Sequence, residues 1–271
     1  MFEIKAVLEH SDSVRLSIFV MVFIACLLWE WTLPRIKRNQ TRLLRWSNNL
    51  ALVAFNSVLL QLIMPLLAID SAYLASENQW GLFNQVSISS WLLIPLCILM
   101  LDLLVYSQHW LFHRIPLLWR LHRVHHTDRD LDFTTGARFH PLEILLSMWI
   151  KIAAVILLGM PVIAVLLFEI LLNASAMFNH SNARLAPTLD RRLRRFIVTP
   201  DFHRVHHSDR PRETHSNFGF FLSVWDRLFK TCIEQPRDGH HKMAIGLPLF
   251  TDDKQQRLDN LLTQPFRRET D

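Results

Sequence analysis

The stretch ILLSMWIKIAAVILLGMPVIAVLLFEILLNASAMF, residues 144–178, decides the fold. It approaches twice the ~20 apolar residues that carry a helix across a bilayer, and Gly159, Met160 and Pro161 interrupt it near its centre. Glycine loosens the backbone and proline withholds an N–H donor, so a helix ends there. Two shorter antiparallel helices are expected. Lys151 and Glu169, each nine residues from Met160, then reach similar depth. An unpaired charge inside a membrane costs ~3 kcal/mol or more. The hairpin therefore predicts that these two face each other, as an ion pair or through a shared polar neighbour.

Working outward, Leu16 to Leu33, Leu50 to Ile69 and Ile88 to Tyr106 are three more stretches near spanning length. Leu16 to Leu33 is too long for a removable signal peptide, and no small-residue cleavage site follows it. With 51% hydrophobic residues, only 6 glycines and a mean hydropathy of +0.18 over 271 residues, an ordinary soluble domain is excluded. The expected fold is all-α: an integral membrane helical bundle of three spans, a broken helical hairpin and a cytoplasmic helical cap, in one membrane domain over residues 1–271. Residues 1–89 carry the first spans, and residues 233–271 read as a C-terminal cytoplasmic tail.

Arg35, Lys37, Arg38, Arg42 and Arg45 crowd the connection after the first span, whereas the next holds Asp70 and Glu77 without Lys or Arg. By the positive-inside rule the first connection is cytoplasmic, so the third span delivers His109 and the later polar residues to the cytoplasmic face. Trp29, Trp31, Trp46, Trp80 and Trp91 fall near span ends, where interfacial anchors sit. The pI near 9.4 and charge of +5 come from residues flanking apolar segments, which suits an anionic membrane face rather than nucleic acid. Cys26, Cys97 and Cys232 are scattered, so neither a disulfide framework nor a thiolate metal site is encoded.

Nine of the 14 histidines fall in four windows: His109 and His113; His122, His125 and His126; His180; and His203, His206 and His207. Residues three and four apart share a helix face, so each window presents its imidazoles in one direction. The second and fourth windows nearly repeat: His122-Arg-Val-His-His-Thr-Asp-Arg129 and His203-Arg-Val-His-His-Ser-Asp-Arg210. Neutral imidazole binds zinc, copper, iron or nickel, and nine exceed the three or four ligands of a single zinc site. Two metal ions are implied, and a thiolate-free histidine site suits redox iron, although the sequence does not name the metal. A pair of irons can activate O2 for attack on an unreactive C–H bond.

These windows, with Asp102 before His109-Trp-Leu-Phe-His113-Arg114, Arg138-Phe-His-Pro141, Asn179-His180-Ser-Asn182, Thr199-Pro200-Asp-Phe-His203, Asn217-Phe-Gly219 and Trp225-Asp226-Arg227, resemble the fatty acid hydroxylase superfamily, also called the sterol desaturase family. The resemblance covers roughly residues 90–232. It implies a membrane di-iron oxygenase that hydroxylates or desaturates a lipid with O2, with the nine clustered histidines as ligands. Ala176 stands where the family often has a further histidine, and His140 is a candidate to fill that gap, or else a capping residue. Asp102 is expected to orient a ligand histidine, with Asp128 and Asp209 weaker candidates. His215 reads as a surface residue, and His10, His240 and His241 as solvent-exposed.

No dinucleotide-binding or haem-attachment motif is present, so electrons must come from a separate reductase, ferredoxin or cytochrome. The expected setting is a multi-pass protein of the bacterial inner membrane. A non-catalytic metal-binding or haem-binding membrane protein remains the alternative, and lack of His-Glu-x-x-His counts against a zinc hydrolase.

Overall fold

A computed structural model describes residues 2–38 and 40–268. Among these residues there is no strand beyond isolated bridges. The helices are α1 (Phe2–Thr32), α2 (Arg42–Ile63), α3 (Ala68–Glu77), α4 (Ser90–Arg114), α5 (Pro116–His126), α6 (Pro141–Leu158) and α7 (Val162–His180). Five short ones follow: α8 (Pro187–Leu193), α9 (Pro200–His206), α10 (Pro211–Thr214), α11 (Val224–Leu228) and α12 (Leu258–Thr263). The described residues contain five segments long and apolar enough to cross a membrane: His10–Thr32, Arg42–Asn84, Ser90–Arg114, Pro141–Leu158 and Val162–His180. Three spans and a broken hairpin account for all five. The chain is an integral membrane helical bundle.

The hairpin turns where its glycine and proline require. Gly159 caps α6 in the left-handed conformation, at φ 65°, and Pro161 precedes α7. The turn also meets the connection before α4 so closely that a Cβ at Gly81 would lie 2.1 Å from the Gly159 nitrogen. This knot closes the end of the bundle remote from the histidines. Halfway along the hairpin, Lys151 Nζ stands 3.0 Å from Glu169 Oε1, as expected; Arg15 of α1 adds an unforeseen second cation, with Nη2 3.2 Å from Glu169 Oε2.

The second span is shorter than its apolar run. Pro65 forces Met64 out of the helical region, so α2 stops at Ile63 and Ile69 belongs to α3, which packs on α6 and α7. Ala68, Ala72 and Ala164 are fully buried beside Cys97, Leu101 and Val165, because small side chains let helices approach closely without a hydrophobic drive between them. α7 is the inner helix, touching α1, α3, α4 and α9.

The basic first connection has a second role. Arg45 is buried and binds Asp128 through Nε and Nη2 at 2.7 and 2.8 Å and Asp132 through Nη1 at 2.5 Å. Arg38 pairs with Glu30, and Arg35 with Asp201. These cations tie α1 and α2 to the cap. Trp31, Trp80 and Trp91 are exposed as anchors would be, but Trp29 stacks on Phe178 and Trp46 packs edge-on against Phe133 and donates to Asp132, so these two are packing residues.

Residues 233–268 fold back onto the histidine-bearing helices rather than trailing away. Leu247 N donates to the His126 carbonyl and Gly246 N to the His207 carbonyl, both at 3.1 Å. Gly246 has φ 91°, and a Cβ there would lie 2.8 Å from the Asp128 carbonyl oxygen. Gln264 accepts Arg123 Nη2 on its carbonyl at 2.7 Å and Thr127 Oγ1 on its side chain at 3.1 Å.

Candidate metal centre

Four elements bring the nine histidines together. α4 runs past its apolar part and carries His109 and His113 one turn apart; α5 ends in His122, His125 and His126; α7 ends in His180; and α9 ends with His203 and His206, capped by His207. They sort into two buried groups, His109, His113, His122, His126 and His206, and His125, His180, His203 and His207. Within each group, one ring nitrogen from every member lies within 4.8 Å of all the others. The two near-repeats interleave, each giving residues to both groups. The His126 and His207 rings stack at 4.7 Å across the boundary.

Most of the nitrogens turned inward in the first group lack partners. Nε2 of His109, His113, His122, His126 and His206 is buried without a hydrogen bond, as are both ring nitrogens of His207. In the other group the Nε2 atoms of His125 and His203 converge on His180 Nε2 at 3.1 and 3.0 Å. Buried polar atoms are rarely left unpaired, so a cation in each group would satisfy the orphaned nitrogens of the first and draw together the crowded nitrogens of the second. Burial pushes the His122 imidazole down to about 3. Burial, then neighbouring imidazoles, hold His125, His126, His203, His206 and His207 well below the usual histidine value. Neutral imidazole is the metal-binding form.

The outward nitrogens are fixed, which sets the tautomer. Nδ1 of His109 donates to the Phe218 carbonyl at 2.9 Å, that of His206 to the Ser216 carbonyl at 2.6 Å, that of His180 to the Ala176 carbonyl at 2.7 Å and that of His122 to Glu143 Oε1 at 2.7 Å. Glu143 was not foreseen, although it lies only two residues past the Arg138-Phe-His-Pro141 run. His113 Nδ1 meets His215 Nδ1 at 3.1 Å, so His215 is half-buried beside the centre rather than on the surface.

Other expectations are corrected. His140 lies in neither group: its Nδ1 accepts Leu142 N at the start of α6, and its Nε2 reaches the Leu262 carbonyl, so both nitrogens serve the backbone. Asp102 does not touch His109. It accepts Phe221 N, Leu222 N and Trp225 Nε1, which holds the loop whose Phe218 carbonyl orients His109. Asp128 serves Arg45, whose guanidinium overrides the upward push of burial and keeps the carboxyl below its ordinary value. His240 is buried, not exposed.

The same loop explains the Asn-Phe-Gly and Trp-Asp motifs. Asn217 sits at φ 52°, which asparagine tolerates, and its amide bonds the Phe202 and Ile233 carbonyls. Asp226 accepts Phe218 N and Gly219 N at 2.7 and 2.8 Å; a Cβ at Gly219 would come within 2.7 Å of that carboxylate.

A cavity of about 370 Å³ leads from the bundle to this centre. It reaches His109 and His122 of one group and His125 and His203 of the other, and its walls are mostly apolar side chains of α1, α2, α4, α6 and α7. That volume falls in the range of small-molecule sites, ~300–1,000 Å³.

Residues 94–231 match the family model described as fatty acid hydroxylase. The chain belongs to the fatty acid hydroxylase family. Among curated relatives it is similar to the ornithine lipid hydroxylase OlsE of Rhizobium tropici, 30% identical over 143 residues, 52% of this chain and 42% of that protein. It is similar also to the alkylglycerol monooxygenase of Homo sapiens, 28% identical over 167 residues, 59% of this chain and 35% of that protein. Fatty acid hydroxylase vlmA of Lecanicillium sp matches over 230 residues at 28% identity, 74% of this chain and 56% of that protein. The chain thus covers less than two thirds of the length of these relatives. No solved structure matches it. The family match takes in all nine clustered histidines and Glu143.

Proposed function

We propose that this protein is a di-iron oxygenase that uses O2 to hydroxylate a lipid, or to desaturate it, within the bilayer. The observation that carries the reading is the pair of convergent histidine groups at the end of an apolar cavity within the membrane bundle. The names of the relatives, each a hydroxylase or monooxygenase, support it. The nine histidines are the ligands in this proposal. When bound, the two irons supply reductive activation of O2 and the oxidising power to break a C–H bond.

The chain's own residues do the rest. The Phe218 and Ser216 carbonyls and Glu143 keep His109, His206 and His122 protonated on Nδ1, so that Nε2 points inward. Asp102 and Asp226 hold the loop that supplies those carbonyls. Apolar walls orient the lipid and exclude water, which keeps the oxidising site from wasting turnovers on solvent. Residues 90–232 form the catalytic region, electrons come from a separate reductase, ferredoxin or cytochrome, and the centre faces the cytoplasm of a bacterial inner membrane. The basic first connection supports that side.

Lipid mass spectrometry of cells with and without the protein tests the reaction. A product heavier by one oxygen, or lighter by two hydrogens, is expected only when the protein is present and is lost with His122→Ala or His203→Ala. Unchanged lipids in protein carrying about two irons per chain would instead favour non-catalytic metal binding.

A further inference from the structure

The cavity has two unlike ends. One meets the histidines, and the other is walled by Arg15, Lys151 and Glu169. Glu169 lies 3.0 Å from Lys151 Nζ and 3.2 Å from Arg15 Nη2, so two cations share one carboxylate. Arg15 also touches Asp12 at 3.5 Å, but the Asp12 side chain is 96% exposed and lies outside the cavity lining. The one other carboxylate of the lining, Glu143, is committed to His122 at the far end. Lys151 carries three N–H donors, and Glu169 accepts one of them.

We propose that the Lys151–Arg15 end of the cavity binds an anionic group of the lipid, a carboxylate or a phosphate, and so directs oxidation to chain carbons far from that group. This rests on the lipid-oxygenase reading above. A hydrocarbon tail seated here would cover charged groups with nothing to replace their remaining polar contacts. An anionic group restores the charge balance and takes up the spare donors in charge-assisted hydrogen bonds. Helix geometry sets the ruler. Glu169 precedes His180 by eleven residues on α7, and Lys151 follows Glu143 by eight on α6, so the anion and the histidines are separated by ~12–17 Å along the helices at 1.5 Å per residue. Carbons next to the anionic group then lie out of reach, and mid-chain or distal carbons lie at the centre.

Equilibrium binding of hexadecanoate, hexadecyl phosphate and hexadecanol to the full chain in nanodiscs of zwitterionic lipid tests this. Both anions are expected to bind ~10-fold or more tightly than the alcohol, the scale of one charge-assisted hydrogen bond. The tighter of the two names the carboxylate or the phosphate as the natural group. Lys151→Met should erase the preference while leaving hexadecanol binding in place, and Lys151→Arg should restore it. Equal binding of all three probes by the unaltered protein would overturn the proposal without any variant having to fold. Turnover is scored separately by locating the added oxygen. Oxidation beside the carboxylate would sink the ruler even with the anion preference intact. Anion preference without oxidation of any lipid would count against the oxygenase reading and leave the binding site standing.

Discussion

At the residue scale the centre is a set of neutral imidazoles held by what lies behind them, and among the described residues Glu143 is the one carboxylate that accepts directly from a ring of the nine clustered histidines. Glu143→Ala should lower metal affinity or activity ~10- to 100-fold, as loss of such a partner does, while Glu143→Gln, which still accepts from His122 Nδ1, should recover most of it. Metal content by mass spectrometry checks this, and equal losses in both variants would reduce Glu143 to a space-filling role. Acid should also unfold the metal-free protein early. The His122 imidazole titrates near 6.5 when unfolded but is pushed down to about 3 by burial in the fold. Between those values the unfolded chain binds more protons, so stability is intact above about pH 6.5 and falls as pH drops through that window. Five further cap histidines shift the same way. A melting midpoint of chelator-treated protein that stays flat from about pH 7.5 to about 4.5 would contradict this. The histidine spacing made the nine inward-facing residues legible. Their orienting partners were not, because three are backbone carbonyls, and a carbonyl has no sequence signature.

At the element scale the broken hairpin was readable because its signals are local: an apolar run of double length, a glycine, a proline, and two charges at matching offsets. Lys151→Met and Glu169→Gln in a double-mutant cycle should show a coupling near 1 kcal/mol in thermal or denaturant unfolding, and additive losses would reject the pairing. The third member, Arg15, was hidden because nothing in the local pattern of α1 says that it packs on α7. His140 stayed open between ligand and cap for a related reason. A histidine before Pro141 is both a plausible ligand and a good helix cap, and only the neighbourhood shows that its Nε2 faces the Leu262 carbonyl. Asp102 was placed near the right histidine with the wrong partner, since its acceptor oxygens are taken by a loop more than a hundred residues further along.

At the scale of the whole molecule, the spans and the presence of a helical cap were legible and the cap's internal order was not, because that order depends on buried ion pairs and on residues distant in sequence. Arg45 looks like a topology signal but also stitches α2 to the loop after α5. The segment around Gly246 looked like a tail but ties the ends of both histidine repeats. Gly246→Val should therefore impair metal retention from a position outside both histidine groups, since a side chain at φ 91° meets the Asp128 carbonyl; metal loss measured during dialysis against a chelator reads this, and retention equal to the unaltered protein would make the clamp dispensable. The same clamp imposes an order on biogenesis. Gln264 is made 57 residues after His207, so at 5–20 residues per second every imidazole exists for about 3 to 11 s before the chain that locks them has been translated. On the di-iron proposal, the histidines are during that interval an unshaped chelator, and such a chelator takes up copper or zinc ahead of iron by intrinsic affinity. Slow translation or a pause downstream of His207 would then yield full-length protein carrying the wrong metal, a fault in timing rather than in sequence.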